Sequence, residues 1–180
     1  MPRVTFSRKK LLATGSALAA FGPFMLGPFI AAAEAADEGD IKILQVAISL
    51  ERAGIKAYTD AAGLHILTPG VLAVAKGFLA DHTAHRDALI GAVKAAGETP
   101  TDVTTKLTYP KLATQADILA FAQSVERQAA ATYLSVIPAF KNRKLAQTAG
   151  AILGVETTHV AILDYVLKKT TEPYPSSFVS

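Results

Sequence analysis

The chain has 180 residues, no cysteine, and 18 basic against 15 acidic side chains, a formal charge of +3. Without cysteine, disulfide frameworks, thiolate zinc sites and cysteine nucleophiles are all excluded, so the fold must be held by its core. Residues 1–35 contain four of the basic side chains and one acid, Glu34; the remainder carries 14 of each sign and gives no reason to expect nucleic acid as a partner.

At the N-terminus, Arg3, Arg8, Lys9 and Lys10 form a basic head. An apolar run from Leu11 to Ala33 follows, and Ala33-Glu34-Ala35 places small residues in an A-x-A arrangement. That order predicts an export signal over residues 1–35, cleaved near Ala35, and a periplasmic or cell-envelope location. Ser7-Arg8-Lys9-Lys10-Leu11-Leu12 resembles a twin-arginine signal with Lys9 in place of the second arginine, and the route, twin-arginine or general, stays open. If the segment is retained, it reaches the length of about 20 residues needed to anchor the chain in a membrane, although Pro23 and Pro28 interrupt it. No other stretch is long and apolar enough to cross one. The roughly 145 residues that follow suffice for one domain burying roughly two-thirds of its unfolded surface.

Apolar spacing and helix breakers predict four helices in that domain. The first runs from about Glu38 to Ala62 and stops at Gly63. The second starts near Pro69, a residue suited to a first helical turn, and stops at Gly97. Residues 98–114 lose periodicity and contain Thr99-Pro100 and Tyr109-Pro110, the longest connection in the domain. The third helix covers about Gln115 to Ile137, and the fourth about Asn142 to Lys169, where Lys168 and Lys169 suit the negative end of the helix dipole. A tail over 171–180, with Pro173 and Pro175, reads as irregular. The expectation is an all-α four-helix bundle with one long crossover between the second and third helices. Nothing demands a strand in the long loop.

The chain repeats itself. SLERAGIKAY at 49–58 parallels SVERQAAATY at 124–133, with serine, glutamate, arginine and tyrosine recurring at an offset of 75. HTAH at 82–85 parallels ETTH at 156–159 at an offset of 74. Two matches in the same order at nearly one offset point to a duplicated helical hairpin.

Each helix carries a seam spaced by three and four residues, which keeps its side chains on one face. The seams are Leu44, Ile48, Glu51, Ile55, Tyr58 and Ala62; Phe78, His82, His85, Leu89 and Ala92; Leu119, Ala122, Glu126, Ala129, Tyr133 and Val136; and Ile152, Glu156, His159, Leu163 and Val166. Titratable residues interrupt an apolar stripe in every case. An isolated buried carboxylate costs several kcal/mol or turns neutral. No lysine or arginine lies on these seams; Arg52, Arg86 and Arg127 each follow a seam residue and are turned by roughly 100° around the helix. A divalent cation would compensate the carboxylates and use the imidazoles as nitrogen ligands.

This arrangement resembles the ferritin-like superfamily, in particular its exported, single-domain members that are not cages. Those proteins take one glutamate from each of two helices and Glu-x-x-His from each of the other two. Over about residues 40–170 the resemblance implies Glu51 and Glu126 as the single glutamates, Glu156 and His159 as one Glu-x-x-His pair, and His85 as the histidine of the other. His82 departs from the pattern, standing where a bridging glutamate is expected. Three carboxylates against two divalent ions leave one positive charge, which a bound hydroxide or oxide could balance. Otherwise the site is asymmetric, with one ion held tightly.

The metal set is therefore Glu51, His82, His85, Glu126, Glu156 and His159, holding one or two divalent ions, with iron or manganese favoured over zinc. Tyr58 and Tyr133, two turns beyond Glu51 and Glu126, read as core tyrosines or as hydrogen-bond partners of the ligands. Asp81, Asp87 and Asp164 are candidates to orient a histidine, and His65 falls in a turn. Three functions stay open: redox or oxygen chemistry on ferrous iron, dioxygen or peroxide; a non-catalytic metal-binding or stress-protective role in the envelope; or a bundle with a decayed site serving as an interaction module. Iron storage in a cage is disfavoured, because the Pro-containing tail does not resemble a fifth helix. The alanines at 129–131 would allow close packing in a homo-oligomer. There is no phosphate-cradling glycine loop, G-x-S-x-G elbow, H-E-x-x-H or dinucleotide fingerprint.

Overall fold

The computed structural model describes residues 36–169; the expected export signal over 1–35 and the tail over 171–180 lie outside the described residues. Among the described residues four helices follow one another: α1 Glu38–Gly63, α2 Pro69–Ala95, α3 Gln115–Val136 and α4 Arg143–Val166, with a 3-10 turn at Ile137–Ala139 between the last two. No strand occurs among the described residues, and no helix there is long and apolar enough to cross a membrane.

Local chemistry sets the helix starts. The Asp37 carboxylate accepts from the Asp40 N–H at 2.8 Å ahead of α1. Pro69 occupies the first turn of α2. Thr114 and Asp117 form a reciprocal capping box on α3, and the Asn142 side chain accepts from the Lys144 and Leu145 N–H groups on α4. At the end of α2, Gly97 takes φ +83° while Glu98 N–H reaches back to Val93 O, a turn that only glycine enters freely.

The end of α4 uses the same geometry without a glycine. Lys168 sits at φ +59°, and Lys169 N–H bonds Asp164 O at 2.8 Å. The helix therefore stops at Val166 rather than continuing to Lys169 as expected.

The helices pack as two hairpins, α1 with α2 and α3 with α4, joined across the core mainly between α1 and α3. Two apolar clusters fill the interior. Leu44, Ile48, Leu89, Val93, Tyr133 and Ile152 are at the core of one; Tyr58, Phe78, Ala122 and Leu163 belong to the other. The polar seam residues lie between these clusters in sequence on every helix, so both flanks of the polar layer are apolar. Where the expected seams ran past the centre, the buried residue is one place away: Ala61, Val93 and Ala130 instead of Ala62, Ala92 and Ala129. A 3.6-residue helix drifts from a strict three-four spacing over two or three turns. Of the alanines at 129–131, only Ala131 is exposed.

The long crossover is stitched to α1. Gln45 exchanges hydrogen bonds with Thr99 O (2.8 Å) and Thr101 N–H (2.6 Å), Arg52 donates to Thr101 O (3.3 Å), and Ser49 holds Thr105 through both backbone and hydroxyl. Gln45, Ser49 and Arg52 are spaced by four and three, so one stripe of α1 secures the strap.

Candidate metal centre

All six residues singled out in the sequence meet in the middle of the bundle, each no more than 6% exposed. They form two overlapping groups whose facing ligand atoms all lie within 4.8 Å of one another: Glu51, His82, His85 and Glu156, and His82, Glu126, Glu156 and His159. Glu156 and His82 belong to both groups, and either group could hold a metal ion.

The three carboxylates are not equivalent. Glu51 accepts from Tyr133 OH at 2.5 Å and faces His82 Nδ1 at 2.7 Å. Glu126 accepts from Tyr58 OH and faces His82 Nε2 at 3.3 Å and His159 Nδ1 at 3.2 Å. Each tyrosine thus serves the glutamate of the opposite hairpin, so both hydroxyls are satisfied by a candidate ligand. Neither oxygen of Glu156 has a hydrogen bond, nor does His85 Nδ1, although the two groups are 3.0 Å apart. They stand close but are not aimed as donor and acceptor, and a carboxylate cut off from water without partners is costly. The residues present therefore fit a cation at this position.

Charge follows the geometry. Burial pushes the Glu51 carboxyl up, but the hydrogen-bonded His82 and the nearby His85 outweigh it and hold it at about 2. Burial acts likewise on Glu126, where His159 and His82 prevail and keep it well below the usual range. For Glu156 burial wins over His159 and His85, and its carboxyl is raised. Burial pulls His82 down, but Glu126 and Glu51 lift it to about 10; His85 is lifted against burial by Glu156 and Glu51 to about 9. The imidazoles are thus the cations that balance the glutamates when no metal is bound.

Around the centre, Phe78 stacks on the His159 ring at 3.8 Å between centroids. Of the three aspartates considered, only Asp81 reaches a histidine, with Oδ2 at 3.1 Å from His159 Nε2. The Asp81 carboxylate accepts from Nε2–H, so that Nδ1, which donates toward Glu126 while the ring is protonated, would present its lone pair to a bound cation. Asp87 pairs with its neighbour Arg86, and Asp164 accepts from Gln123 and from Arg127 at 2.8 Å. His65 is exposed, in a turn at φ +57°.

The sequence profile described as "Ferritin-like domain" matches residues 39–169. The chain belongs to this ferritin-like family. Among solved structures, this ferritin-like chain is similar to a conserved hypothetical protein, rv2844, from Mycobacterium tuberculosis, at TM-score 0.66 and 22% identity over 78% of this chain and 96% of that one. It is also similar to a ferritin-like, diiron-carboxylate protein from Bacillus anthracis str. Ames, at TM-score 0.60 and 20% identity over 73% of this chain and 99% of that one. At such identities the likeness shows the fold. No curated protein matches the chain.

Two participants escaped the sequence reading. A Cβ on Gly54 would lie 2.9 Å from the His82 ring, closer than any real contact, so the ring occupies space that only glycine leaves free. In the repeat, Gly54 corresponds to Ala129 as His82 corresponds to Glu156. The paired exchange, smaller residue opposite larger one, was available as a signal in the aligned repeats. The second is Asp40, buried in the first turn of α1, whose carboxylate accepts from Lys141 N–H and Asn142 N–H, both at 2.9 Å. An acid near a helix start reads from sequence only as a dipole partner.

Proposed function

We propose that this is an exported ferritin-like metalloprotein in which Glu51, His82, His85, Glu126, Glu156 and His159 hold one or two divalent ions, iron or manganese in preference to zinc. Its chemistry in this reading is redox turnover of small species such as ferrous iron, dioxygen or peroxide. The observation that carries the reading is Glu156: a fully buried carboxylate with no hydrogen bond, ringed by His85, His82 and His159 at 3.0, 3.7 and 3.5 Å. The description of the Bacillus anthracis protein as diiron-carboxylate lends precedent for paired irons on this fold.

A bound redox ion would supply electrons and open coordination positions for an oxidant. The chain's own residues do the rest. Tyr58 and Tyr133 fix the two satisfied glutamates, Asp81 holds the His159 proton on its outer nitrogen, and the apolar clusters keep bulk water from the flanks. His82 has a nitrogen toward Glu51 and another toward Glu126, so it occupies the midpoint of the centre.

That last contact also favours a second reading. A protonated His82 donating to both glutamates, together with protonated His85 and His159, would balance the three buried carboxylates without metal, leaving a bundle that is structural or protective. Elemental analysis separates the two, on protein purified from its native compartment and again after reloading with ferrous iron or manganese, against a His85→Ala, Glu126→Ala variant. Close to two iron or manganese ions per chain, lost in the variant, supports the paired centre; a single zinc supports an asymmetric or structural site. No metal after reloading sinks the metal reading and leaves the self-neutralised core. For export, the protein recovered from the envelope should begin near Ala36.

A further inference from the structure

Resting on the metal reading above, we propose that the crossover segment Thr105–Leu107 covers a port through which ions and molecules of water size reach the Glu51 and His82 side of the centre. A cavity of about 60 Å³ lies between α1 and α3. Its inner wall is made by Glu51, Gly54 and His82, and its outer wall by Thr105, Lys106 and Leu107. At that size the space suits a few species of water size. Elsewhere the polar layer is flanked along the bundle by apolar clusters.

The cover itself has few attachments, between firmer anchors at Thr101 on one side and, on the other, at Tyr109, whose hydroxyl donates to Asp60 at 2.6 Å. Thr105 is latched to Ser49 by its backbone N–H at 3.1 Å and by a hydroxyl contact of 2.8 Å. Lys106 and Leu107 make no hydrogen bond to the described residues, yet Leu107 is half-buried over the cavity while the residues on either side of it are exposed. Exposed backbone held by few bonds opens locally at small free-energy cost, so a latch of this kind admits small ligands without unfolding the bundle. None of the covering residues is a candidate ligand. The strap therefore sets how fast the centre exchanges, and the six polar residues set how tightly it binds.

The experiment compares the parent chain with Thr105→Ala, Leu107→Gly, using cobalt(II) followed by its visible absorption. Loading and chelator-driven release should both accelerate, on the order of tenfold, while the affinity stays unchanged, because a gate alters the two rates equally. Unchanged rates, or a loss of affinity that follows the release rate, would overturn the port. A metal-free arm keeps the two readings distinct. The chain has no cysteine, so Ala53→Cys, at a position 3% exposed and lining the cavity, gives one thiol to label. A methyl thiosulfonate should label it slowly in the parent strap and much faster in the loosened one, while thermal melting reports an intact fold in both. Labelling that ignores the strap refutes the port even if cobalt binds; labelling that follows the strap upholds it even if cobalt does not bind, in which case only the metal reading fails.

Discussion

The α1–α2 and α3–α4 hairpins carry the same polar positions, yet they meet the centre differently. On α1–α2 the pair is His82 and His85, with Gly54 against the His82 ring; on α3–α4 it is Glu156 and His159, with Ala129 at the repeat position of Gly54. Each hairpin lends a tyrosine to the other's glutamate, so the exchange is reciprocal at Tyr58 and Tyr133 and broken only where His82 replaces a carboxylate. The lesson is that the backbone duplication is symmetric and the ligand chemistry is not. One hairpin brings a carboxylate without a partner, the other a ring that can serve as ligand or as internal cation.

The largest expected effect tests that dual role through pH. The folded pKa of His82 is raised to about 10 and that of His85 to about 9, against 6.5 unfolded. Raised values mean that their contribution is fully present below pH 6.5 and is lost as pH rises through about 9 to 10. At 1.36 kcal/mol per unit, the metal-free protein should lose on the order of a few kcal/mol over that window in urea unfolding. Metal must displace these protons, so affinity for manganese should rise over the same range. A metal-free protein equally stable at pH 6 and pH 10 would contradict the assignment of the imidazoles as the balancing cations. His82→Glu should remove much of the alkaline loss.

Next in size is the steric half of the difference. Gly54→Ala puts a methyl against a ring held at both nitrogens and should cost about 1–3 kcal/mol, seen as a thermal shift of several degrees. Combined with His82→Glu, most of that cost should vanish, a non-additivity that marks the two positions as one unit. Additive losses would mean that Gly54 serves something other than the ring.

His82→Glu alone should make the two hairpins chemically alike. Uptake of a second manganese ion should strengthen by about tenfold, or roughly 1.4 kcal/mol, with zinc relatively disfavoured as carboxylate replaces imidazole. Isothermal titration with both metals reads this directly. The smallest effect belongs to the part of the pattern that is symmetric: Tyr58→Phe and Tyr133→Phe should each cost about 1–2 kcal/mol in chemical denaturation, and by similar amounts. A large disparity between them would show that the reciprocity is only geometric.

The bundle and its six inward polar residues were legible because both rest on local rules. Spacing of three and four fixes a helix face, and a carboxylate on an apolar stripe stands out against its neighbours. Apolar spacing, helix breakers and Pro69 placed the starts within a residue. What stayed hidden depends on tertiary partners. Lys168 takes a left-handed conformation to end α4, a role that its residue type does not advertise. Glycine inside a helix suggests only weakened propensity, whereas Gly54 is explained by a ring from another helix. The crossover read as an aperiodic loop, since its order comes from Gln45, Ser49 and Arg52, some fifty residues earlier in the chain.

Asp40 carries a consequence for the order in which the molecule can be completed. Its carboxylate, in the first turn of the first helix, grips two backbone amides at the threshold of the last helix, 101 and 102 residues away. A chain delivered N-terminus first has nothing for this acid to hold until residue 142 has emerged, so Asp40 stays hydrated through synthesis or transit of the first hairpin. The bundle is closed by a clasp that needs the chain through residue 142, and a segment that stops short of it has one end undone however well its first hairpin forms.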